Sequence, residues 1–281
     1  MGRFNIPAWV KENLFEYNGV DDLSNDFYKE VSERFKKFHA ENPVVSIVIP
    51  VWNEEKNIAH TINTLSKINT SHPTEILFVN NNSTDRTQEL LDKCGVKSIF
   101  NPKQGISYTR QMGLEEAKGT YYLSADSDSL YPAGWVDAYV NTLKDKSVSV
   151  AYGPYSFIPP GKTSRFTMGL YEIAGETLFA LRRKRRGYLN VMGFNSGFRR
   201  EDALKIGGYN LTRTVWEDGW MAMQLKELGK IQFVKDKNAR VWTEARRLMD
   251  DGSVWGAVKR RLKKESTRIY EYVFPKKHKI D

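Results

Sequence analysis

The sequence predicts an α/β protein with a mostly parallel central sheet and helices on both faces of that sheet. Short apolar segments rich in β-branched or aromatic residues alternate with segments of helical periodicity from residue 44 to residue 152. Such short segments are typical of strands buried on both faces, and repeated strand-helix-strand units form parallel sheets because the helices cover the faces. Polar residues follow three of the predicted strands, at the sheet edge where parallel sheets bind ligands.

Five strands are predicted before residue 153, at 44–49, 76–79, 98–100, 121–125 and 148–152. The helices between them carry apolar residues at helical spacing, for example Ile58, Ile62 and Leu65 after the first strand. Beyond residue 152 the alternation is less regular. The pattern there predicts a helix at 164–186, a strand at 194–199, a short helix from Arg200, an amphipathic helix after residue 219, and strands at 231–234 and 241–242.

Changes in sequence pattern divide the chain into three parts. Residues 1–43 predict a helical N-terminal extension, in which Ser24 is placed to cap a helix and Asn42-Pro43 ends the pattern. One face of that helix is apolar and carries Phe27, Val31, Phe35 and Phe38. Residues 44–243 form the α/β domain, and residues 244–281 form a basic C-terminal helical extension with a helix predicted over 255–272.

Composition restricts the class of protein. The chain has 281 residues and a single cysteine, Cys94, so it contains no intramolecular disulfide and suits a reducing compartment. No segment approaches the roughly 20 apolar residues that span a bilayer, and the first residues lack the apolar core of a signal peptide. We therefore expect a cytoplasmic protein.

The formal net charge of +9 is concentrated in basic blocks at 182–186, 259–264 and 276–279. Blocks of this kind are most often solvated surfaces. They also attract anionic membranes and phosphate-rich ligands, so peripheral contact with the inner face of a membrane stays open. No nucleic-acid-binding motif accompanies the blocks, and we expect no nucleic-acid partner.

Asp126 and Asp128 follow the predicted strand at 121–125 and are separated by one residue. In an extended segment both side chains point to the same face, out of the carboxyl end of the strand. Paired carboxylates suit Mg²⁺ or Mn²⁺, with substrate phosphates completing the coordination shell. An Asp-x-Asp triplet alone is weak evidence, because most such triplets form loops or caps. Two further strand ends carry Asn53-Glu54 and the pair Asn81 and Asp85, so three polar segments are predicted to converge on one crevice.

At these residues the chain resembles family 2 glycosyltransferases of the GT-A fold, over about residues 44–243. The shared elements come in the family's order: Val48-Ile49-Pro50-Val51-Trp52-Asn53-Glu54, Val79-Asn80-Asn81-Asn82-Ser83-Thr84-Asp85, Gly105 with Arg110, Asp126-Ser127-Asp128, Gly207-Gly208-Tyr209 and Glu217-Asp218. Each element is common by chance, but the ordered set is specific.

The resemblance implies transfer of a sugar from a nucleotide diphosphate donor to an acceptor hydroxyl, with divalent Mn²⁺ or Mg²⁺ on the diphosphate. By analogy the nucleoside pocket is lined by Pro50, Val51, Glu54, Asn81, Asp85 and Arg110. Asp126 would lie near the ribose and the metal, Asp128 would bind the metal, and Asp218 would be the catalytic base. Asn195, Ser196 and Gly197 would shape the sugar pocket, with Trp216 and Glu217 in the donor or acceptor pocket.

The chemistry of sugar transfer agrees with these roles. The leaving nucleoside diphosphate gathers negative charge, which a metal offsets, and the acceptor hydroxyl needs a carboxylate to take its proton. One base opposite the leaving group gives a single in-line displacement and hence inversion. Asp218 is predicted to lie in a loop just before a helix, where the alternative role is a simple helix cap.

Two features depart from the family pattern. Asn80 and Asn81 stand where the family commonly has paired aspartates, and an asparagine amide matches uracil better than guanine, which favours a UDP-sugar. The alternative is a turn asparagine that bonds its own backbone. Arg246 and Arg247 are predicted to contact the donor diphosphate, although a surface arginine pair is a comparable interpretation.

The leading hypothesis is a glycosyltransferase that acts on a glycan or lipid-linked acceptor in cell-surface polysaccharide or glycolipid synthesis. One alternative is a sugar-1-phosphate nucleotidyltransferase, although the glycine-rich phosphate loop of that class is absent after the first strand. Another is a non-catalytic nucleotide-sugar-binding or membrane-associated scaffold. Retention of Asp126, Asp128 and Asp218 together counts against the scaffold.

Overall fold

The computed structural model describes residues 3–245 and Gly256. The strands are β1 (Val45–Val51), β2 (Thr74–Asn80), β3 (Ser98–Phe100), β4 (Tyr121–Ser124), β5 (Ser129–Leu130), β6 (Val148–Tyr152), β7 (Tyr155–Ile158), β8 (Ser196–Arg199), β9 (Lys230–Phe233) and β10 (Val241–Glu244). The α-helices are α1 (Ala8–Lys11), α2 (Asn25–Phe35), α3 (Ile58–Ser66), α4 (Thr87–Lys93), α5 (Ile106–Glu116), α6 (Trp135–Leu143), α7 (Arg165–Arg183), α8 (Arg200–Lys205) and α9 (Glu217–Leu225). Within these described residues, no helix has the length and apolar character needed to cross a membrane.

The central sheet has seven strands in the order β3-β2-β1-β4-β8-β6-β9. All of them run in one direction except β8, which is antiparallel to both of its neighbours. The chain first builds outward from β1 through β2 and β3, and then crosses to the other side of β1 to form β4. Between β1 and β4 the strand order reverses, which leaves a crevice at the carboxyl ends of these strands.

Both faces of this sheet are covered, as the sequence predicts. Every residue of β1 and β2 is buried. Alternate residues of β1 enter opposite cores: Ile47 and Ile49 pack in the cluster with α3 residues, whereas Val48 packs with Leu114 of α5. This alternation follows from the two-residue period of a strand.

The N-terminal residues share the core of the sheet. Ser24 Oγ accepts a hydrogen bond from the Phe27 backbone amide, so α2 begins where the sequence predicts. Its buried Val31 and Phe35 join the cluster that contains Ile47. Residues 3–43 therefore pack against the α/β core, and a domain boundary at residue 43 stays a prediction.

Three details differ from the sequence-based expectation. A small second sheet, ordered β5-β10-β7, was not predicted, because strands β5 and β7 were not recognised in the sequence. Strand β4 ends at Ser124, and Ser127 and Asp128 lie in a turn. Helix α9 begins at Glu217 instead of after Gly219. The C-terminal helix predicted over 255–272 falls outside the described residues, apart from Gly256.

Candidate active site

A cleft of about 700 Å³ opens at the carboxyl ends of β1, β2 and β4. Ten of the residues to which the sequence assigned a site role line it: Pro50, Val51, Glu54, Asn81, Arg110, Asp126, Asp128, Trp216, Glu217 and Asp218. Asp85, Asn195, Ser196 and Gly197 do not line it. Arg246 and Arg247 lie outside the described residues, so their contact with a diphosphate stays a prediction. The cleft thus brings together side chains from segments far apart in the sequence.

The loops that follow β1 and β2 are bonded to each other. Asn53, with a φ of 52°, accepts a hydrogen bond at Oδ1 from the Thr84 backbone amide at 2.8 Å. Asp85 accepts from the backbone amides of Glu55 and Thr87, at 3.2 and 3.0 Å. Asp85 therefore fixes the two loops that form one wall of the cleft.

The two asparagines at the end of β2 have different environments. Asn80 Oδ1 accepts from the Ser83 backbone amide at 3.0 Å and its Nδ2 donates to Gln88 Oε1 at 2.8 Å, which is the turn role that the sequence left open. Asn81 lines the cleft, and its Oδ1 accepts from the Gly105 backbone amide at 3.1 Å. Of this pair, Asn81 is therefore the candidate contact for a nucleobase.

The Asp126–Asp128 segment is not an extended strand end, so the predicted parallel alignment of the two side chains does not describe it. Asp126 Oδ1 pairs with Arg110 Nη2 at 2.8 Å, while both aspartates line the cleft. Thr61 stabilises the turn: its Oγ1 donates to the Ser127 carbonyl at 2.8 Å and accepts from the Ser129 amide at 3.1 Å. No sequence pattern indicated Thr61, because it lies on α3, more than 60 residues earlier.

Tyr131 is a second supporting residue that sequence reasoning missed. Its buried hydroxyl accepts from the Asp126 amide at 2.8 Å and donates to the Phe194 carbonyl at 3.0 Å. Tyr131 thereby joins the aspartate turn to the opposite wall of the cleft.

Arg110 is the centre of the site. Its side chain is 2% exposed and donates from Nη1 to Ser124 Oγ at 2.6 Å. Besides Asp126, two more carboxylates face it: Asp218 Oδ1 lies 3.2 Å and Glu217 Oε1 lies 3.5 Å from Arg110 Nε. Burial alone would lower the pKa of Arg110, but the facing carboxylates, led by Asp218, hold that pKa well above its usual value. One buried cation thus faces three acidic groups.

Asp218 occupies the first turn of α9, whose N-cap position is taken by Trp216, so it does not itself cap the helix. Burial raises the pKa of the Asp218 carboxyl to about 7; the Arg110 charge opposes this rise, and the negative charges of Glu217 and Asp126 add to it. A carboxylate with a pKa near neutrality is well suited to accept a proton. Its environment therefore fits a general base.

Gly193 lines the cleft, and no sequence pattern indicated it. A Cβ atom at Gly193 would lie 2.1 Å from Arg110 Nη2 and 2.2 Å from Asp218 Oδ2. The backbone of this cleft wall thus passes directly over the ion cluster, where only glycine fits.

Trp216 adopts a left-handed conformation with a φ of 62°, which is strained for a bulky residue. Its indole covers Gly219, where a Cβ atom would lie 2.0 Å from Nε1, and meets the Tyr188 ring edge-on with centroids 6.1 Å apart. These contacts fix the exposed Trp216 ring at the mouth of the cleft.

Asn195 is structural in its contacts. Its Oδ1 accepts from Trp135 Nε1 at 2.9 Å and from the Tyr139 hydroxyl at 2.6 Å. Its Nδ2 donates to the backbone carbonyls of Pro154 and Ala239. The adjacent Ser196 and Gly197 lie in β8 and pair with β4. Residues 195–197 therefore fix the sheet behind the cleft, and a role in the sugar pocket stays a prediction.

The cleft contains oxygen ligands that fit a divalent cation. Asp126 and Asp128 lie on the same wall. Among the described residues, no group of three or more His, Cys, Asp or Glu side chains forms a complete metal site. Because Mg²⁺ and Mn²⁺ commonly take one or two protein carboxylates and fill the remaining positions with phosphate oxygens and water, this donor set fits a metal that binds together with a diphosphate.

Comparison with known proteins decides the family. The profile of the family described as "Glycosyl transferase family 2" matches residues 46–207, more than half of the chain. The chain belongs to this family. The matched region contains Arg110, Asp126, Asp128 and Gly193 of the cleft, while Asp218 lies beyond it. The predicted resemblance is thereby confirmed.

Curated relatives of this family 2 chain agree. It is 30% identical over 122 residues to an uncharacterized glycosyltransferase of Haemophilus influenzae, covering 41% of this chain and 48% of that protein. It is 29% identical over 125 residues to glycosyltransferase AglE of Haloferax volcanii, with 42% and 41% covered. A dolichol-phosphate mannosyltransferase of Pyrococcus furiosus is 29% identical over 127 residues, with 43% and 36% covered. The chain spans less than half the length of each of these relatives.

Solved structures confirm the GT-A fold. TarS 1–349 of S. aureus in complex with UDP has a TM-score of 0.58 at 17% identity, covering 78% of this chain and 65% of that one. The mannosyltransferase PcManGT of Pyrobaculum calidifontis, in complex with GDP-Man and Mn²⁺, has a TM-score of 0.56 at 16% identity, with 85% and 72% covered. At such identities the likeness concerns the fold alone.

Proposed function

We propose that this family 2 protein is an inverting, metal-dependent glycosyltransferase that moves a sugar from a nucleotide diphosphate donor to an acceptor hydroxyl. The observation that carries the proposal is the placement of Asp218, with its raised pKa, in the same cleft as Asp126 and Asp128. A base and a candidate diphosphate site at one cavity are what a single in-line displacement requires.

In this proposal each element of the cleft has a distinct task. Asp128 and Asp126 would hold the divalent cation, which when bound offsets the charge of the departing diphosphate. Asp218 takes the proton of the acceptor hydroxyl as that oxygen attacks the anomeric carbon. Arg110 keeps Asp126 and Asp218 in place through its ion pairs with both carboxylates. Gly193 lets the backbone of this wall lie directly against Arg110 Nη2 and Asp218 Oδ2.

A UDP-sugar is the proposed donor class. Asn81 offers an amide to the cleft, and an amide can both accept from uracil N–H and donate to a uracil carbonyl. Among structures of the same fold, TarS was solved with UDP-GlcNAc and GalNAc-T7 with UDP and Mn²⁺, whereas PcManGT was solved with GDP-Man. Both nucleotides therefore occur on this fold, and Asn81 favours uracil.

We expect UDP to raise the melting temperature of the protein in Mn²⁺ more than GDP does at equal concentration. Thermal-shift measurements with both nucleotides, and without metal as a control, test this. A larger shift with GDP would contradict the uracil assignment while leaving the transferase proposal intact.

The proposed acceptor is a glycan or a lipid-linked saccharide of cell-surface polysaccharide or glycolipid synthesis. This assignment takes its support from relatives, one of which is named as a dolichol-phosphate mannosyltransferase. The cleft reaches the surface at Trp216, which is 39% exposed and offers an aromatic face for a sugar ring or lipid.

Asp128→Ala is expected to lower metal-dependent turnover of the donor at least about a hundredfold, because it removes a proposed metal ligand. A panel of nucleotide sugars in Mn²⁺, read by release of the nucleotide diphosphate, measures this. Asp92→Ala, which removes an exposed carboxylate on α4, is the matched control and should retain turnover.

Two outcomes of this screen would contradict the proposal. Formation of a nucleotide sugar and pyrophosphate from a nucleoside triphosphate and a sugar-1-phosphate would identify a nucleotidyltransferase. Nucleotide-sugar binding without turnover, in the presence of all candidate acceptors, would identify a non-catalytic binding protein.

A further inference from the structure

Helix α7 exposes apolar side chains over its full length. Phe166, Leu170, Ile173 and Leu181 are all exposed, Leu181 to 70%, and they lie on one stripe at helical spacing. Phe4 extends the stripe by stacking on Phe166 with ring centroids 5.2 Å apart. This set of five residues is called the α7 face below. At a rise of 1.5 Å per residue, the stripe from Phe166 to Leu181 is roughly 22 Å long.

The two acidic residues of the same helix, Glu172 and Glu176, lie off this stripe and form ion pairs. Glu172 is 4% exposed and forms a bidentate ion pair with Arg165, at 2.8 and 2.6 Å. Glu172 also accepts from the Phe157 amide at 2.7 Å, and Glu176 pairs with Arg240 at 3.0 Å. An ordinary surface helix places its charges in solvent and its apolar stripe on the core. The outer side of α7 instead carries an apolar stripe, and that stripe is suited to an apolar environment.

The α7 face is bordered by positive charge. The helix ends in Arg182 and Arg183, and Lys184 and Arg185 follow directly, with Arg183, Lys184 and Arg185 exposed. An apolar helical stripe with a basic border is the pattern of a helix that lies in the plane of an anionic membrane surface.

From this geometry we infer that the α7 face is a membrane-docking surface that inserts its apolar side chains among the lipids of an anionic bilayer, with Lys184 and Arg185 against the phosphate headgroups. The inference concerns binding and does not depend on the proposed transfer reaction. The basic block alone indicates attraction to an anionic surface, whereas this inference also names the face that enters the lipid.

Charge favours an anionic lipid surface, and not residues 246–281 of the same chain, as the partner that covers the α7 face. Ala245 packs against Met168 of α7, so the segment that follows starts beside this helix. Residues 246–281 contain eleven Lys and Arg against five Asp and Glu. This segment has the same sign of charge as residues 182–186, and an anionic surface attracts both.

Docking through α7 would bring the cleft close to the membrane. Asn190 Nδ2 donates to the Phe179 carbonyl of α7 at 2.9 Å, and the next residues, 191–194, line the cleft. The Phe194 ring on this wall contacts Tyr155, which in turn contacts Phe179. A lipid-linked substrate held in the same bilayer would meet the cleft without leaving the surface.

Vesicle flotation of the full chain tests the inference. We expect the protein to float with vesicles of phosphatidylcholine containing about 30% phosphatidylglycerol and to stay at the bottom with pure phosphatidylcholine. The triple variant Leu170→Gln, Ile173→Gln, Leu181→Gln should lower partitioning to the anionic vesicles at least about tenfold. Lys184→Glu should weaken binding as well, and more strongly at low salt.

The control is the double variant Phe100→Gln, Leu228→Gln, which changes two exposed apolar residues away from α7 and should float like the wild type. Because the substituted residues are exposed, the triple variant should keep the wild-type melting temperature. The inference is overturned if the wild type does not float, or if the triple variant floats equally well. It is also overturned if the triple variant melts earlier or dissociates a wild-type dimer, because the face would then be covered by protein.

Discussion

Asp218→Asn is expected to lower kcat for sugar transfer by about 10²–10⁴-fold, the range typical for loss of a general base. The amide keeps the size of the side chain but cannot take the acceptor proton. Donor binding should persist, because Asp126, Asp128 and Asn81 are unchanged. Steady-state kinetics with the acceptor found in the screen measures kcat, and the thermal shift with UDP and Mn²⁺ measures donor binding.

The pH dependence of kcat/KM provides a second readout of the same prediction. Because burial raises the pKa of Asp218 to about 7, the wild type should gain activity as pH rises through that value and the carboxyl loses its proton. Glu217→Gln removes a neighbouring negative charge that raises this pKa, so it should move the rise to lower pH. An Asp218→Asn variant that keeps both the wild-type rate and the wild-type pH profile would exclude Asp218 as the base.

The same carboxyl links stability to pH. Its pKa is about 7 in the folded protein against an ordinary value of 3.8. Between these values the folded state holds a proton that the unfolded state has lost, so the contribution of Asp218 to the free energy of unfolding decreases as pH rises. Urea unfolding at several pH values should show this decrease in the wild type and a smaller one in Asp218→Asn.

Arg110→Met is expected to lower the free energy of unfolding at pH 8 by about 3–5 kcal/mol, the usual cost of removing one partner from a buried ion pair. The methionine fills much of the same volume, but Asp126, Glu217 and Asp218 then face one another without a cation. Urea unfolding monitored by tryptophan fluorescence measures the loss.

Two comparisons separate charge from packing at Arg110. At pH 5 the loss should be smaller than at pH 8, because Asp218 is protonated at the lower pH. Arg110→Lys keeps the positive charge, so it should lose less stability than the methionine variant. It should still be less stable than the wild type, because lysine lacks the two guanidinium nitrogens that bond Ser124 and Asp126. A methionine variant as stable as the wild type at pH 8 would show that the ion cluster does not hold the site together.

The sequence by itself was sufficient for the α/β class and for most elements, because these depend on local patterns. Strand β1 follows from a run of β-branched residues, and α3 follows from the spacing of Ile58, Ile62 and Leu65. Six of the ten predicted site residues that line the cleft come from strand ends or from the loops after them, for a related reason: Pro50, Val51, Glu54, Asn81, Asp126 and Asp128. The carboxyl ends of parallel strands share one edge, so polar residues after β1, β2 and β4 must converge.

Only the tertiary structure decided which of these polar groups face the cleft and which hold it in place. Asp85 and Asn195 bond to backbone groups from other segments, and the extended pair predicted at Asp126 and Asp128 is a turn held by Thr61. Arg110 meets Asp218 although more than a hundred residues separate them, and it is this meeting that buries the Asp218 carboxyl beside other charges. The outward apolar stripe of α7 likewise depends on inward ion pairs such as Glu176 with Arg240. Local periodicity carries no information about such contacts, because their energy comes from desolvation and pairing that exist only once the chain is folded.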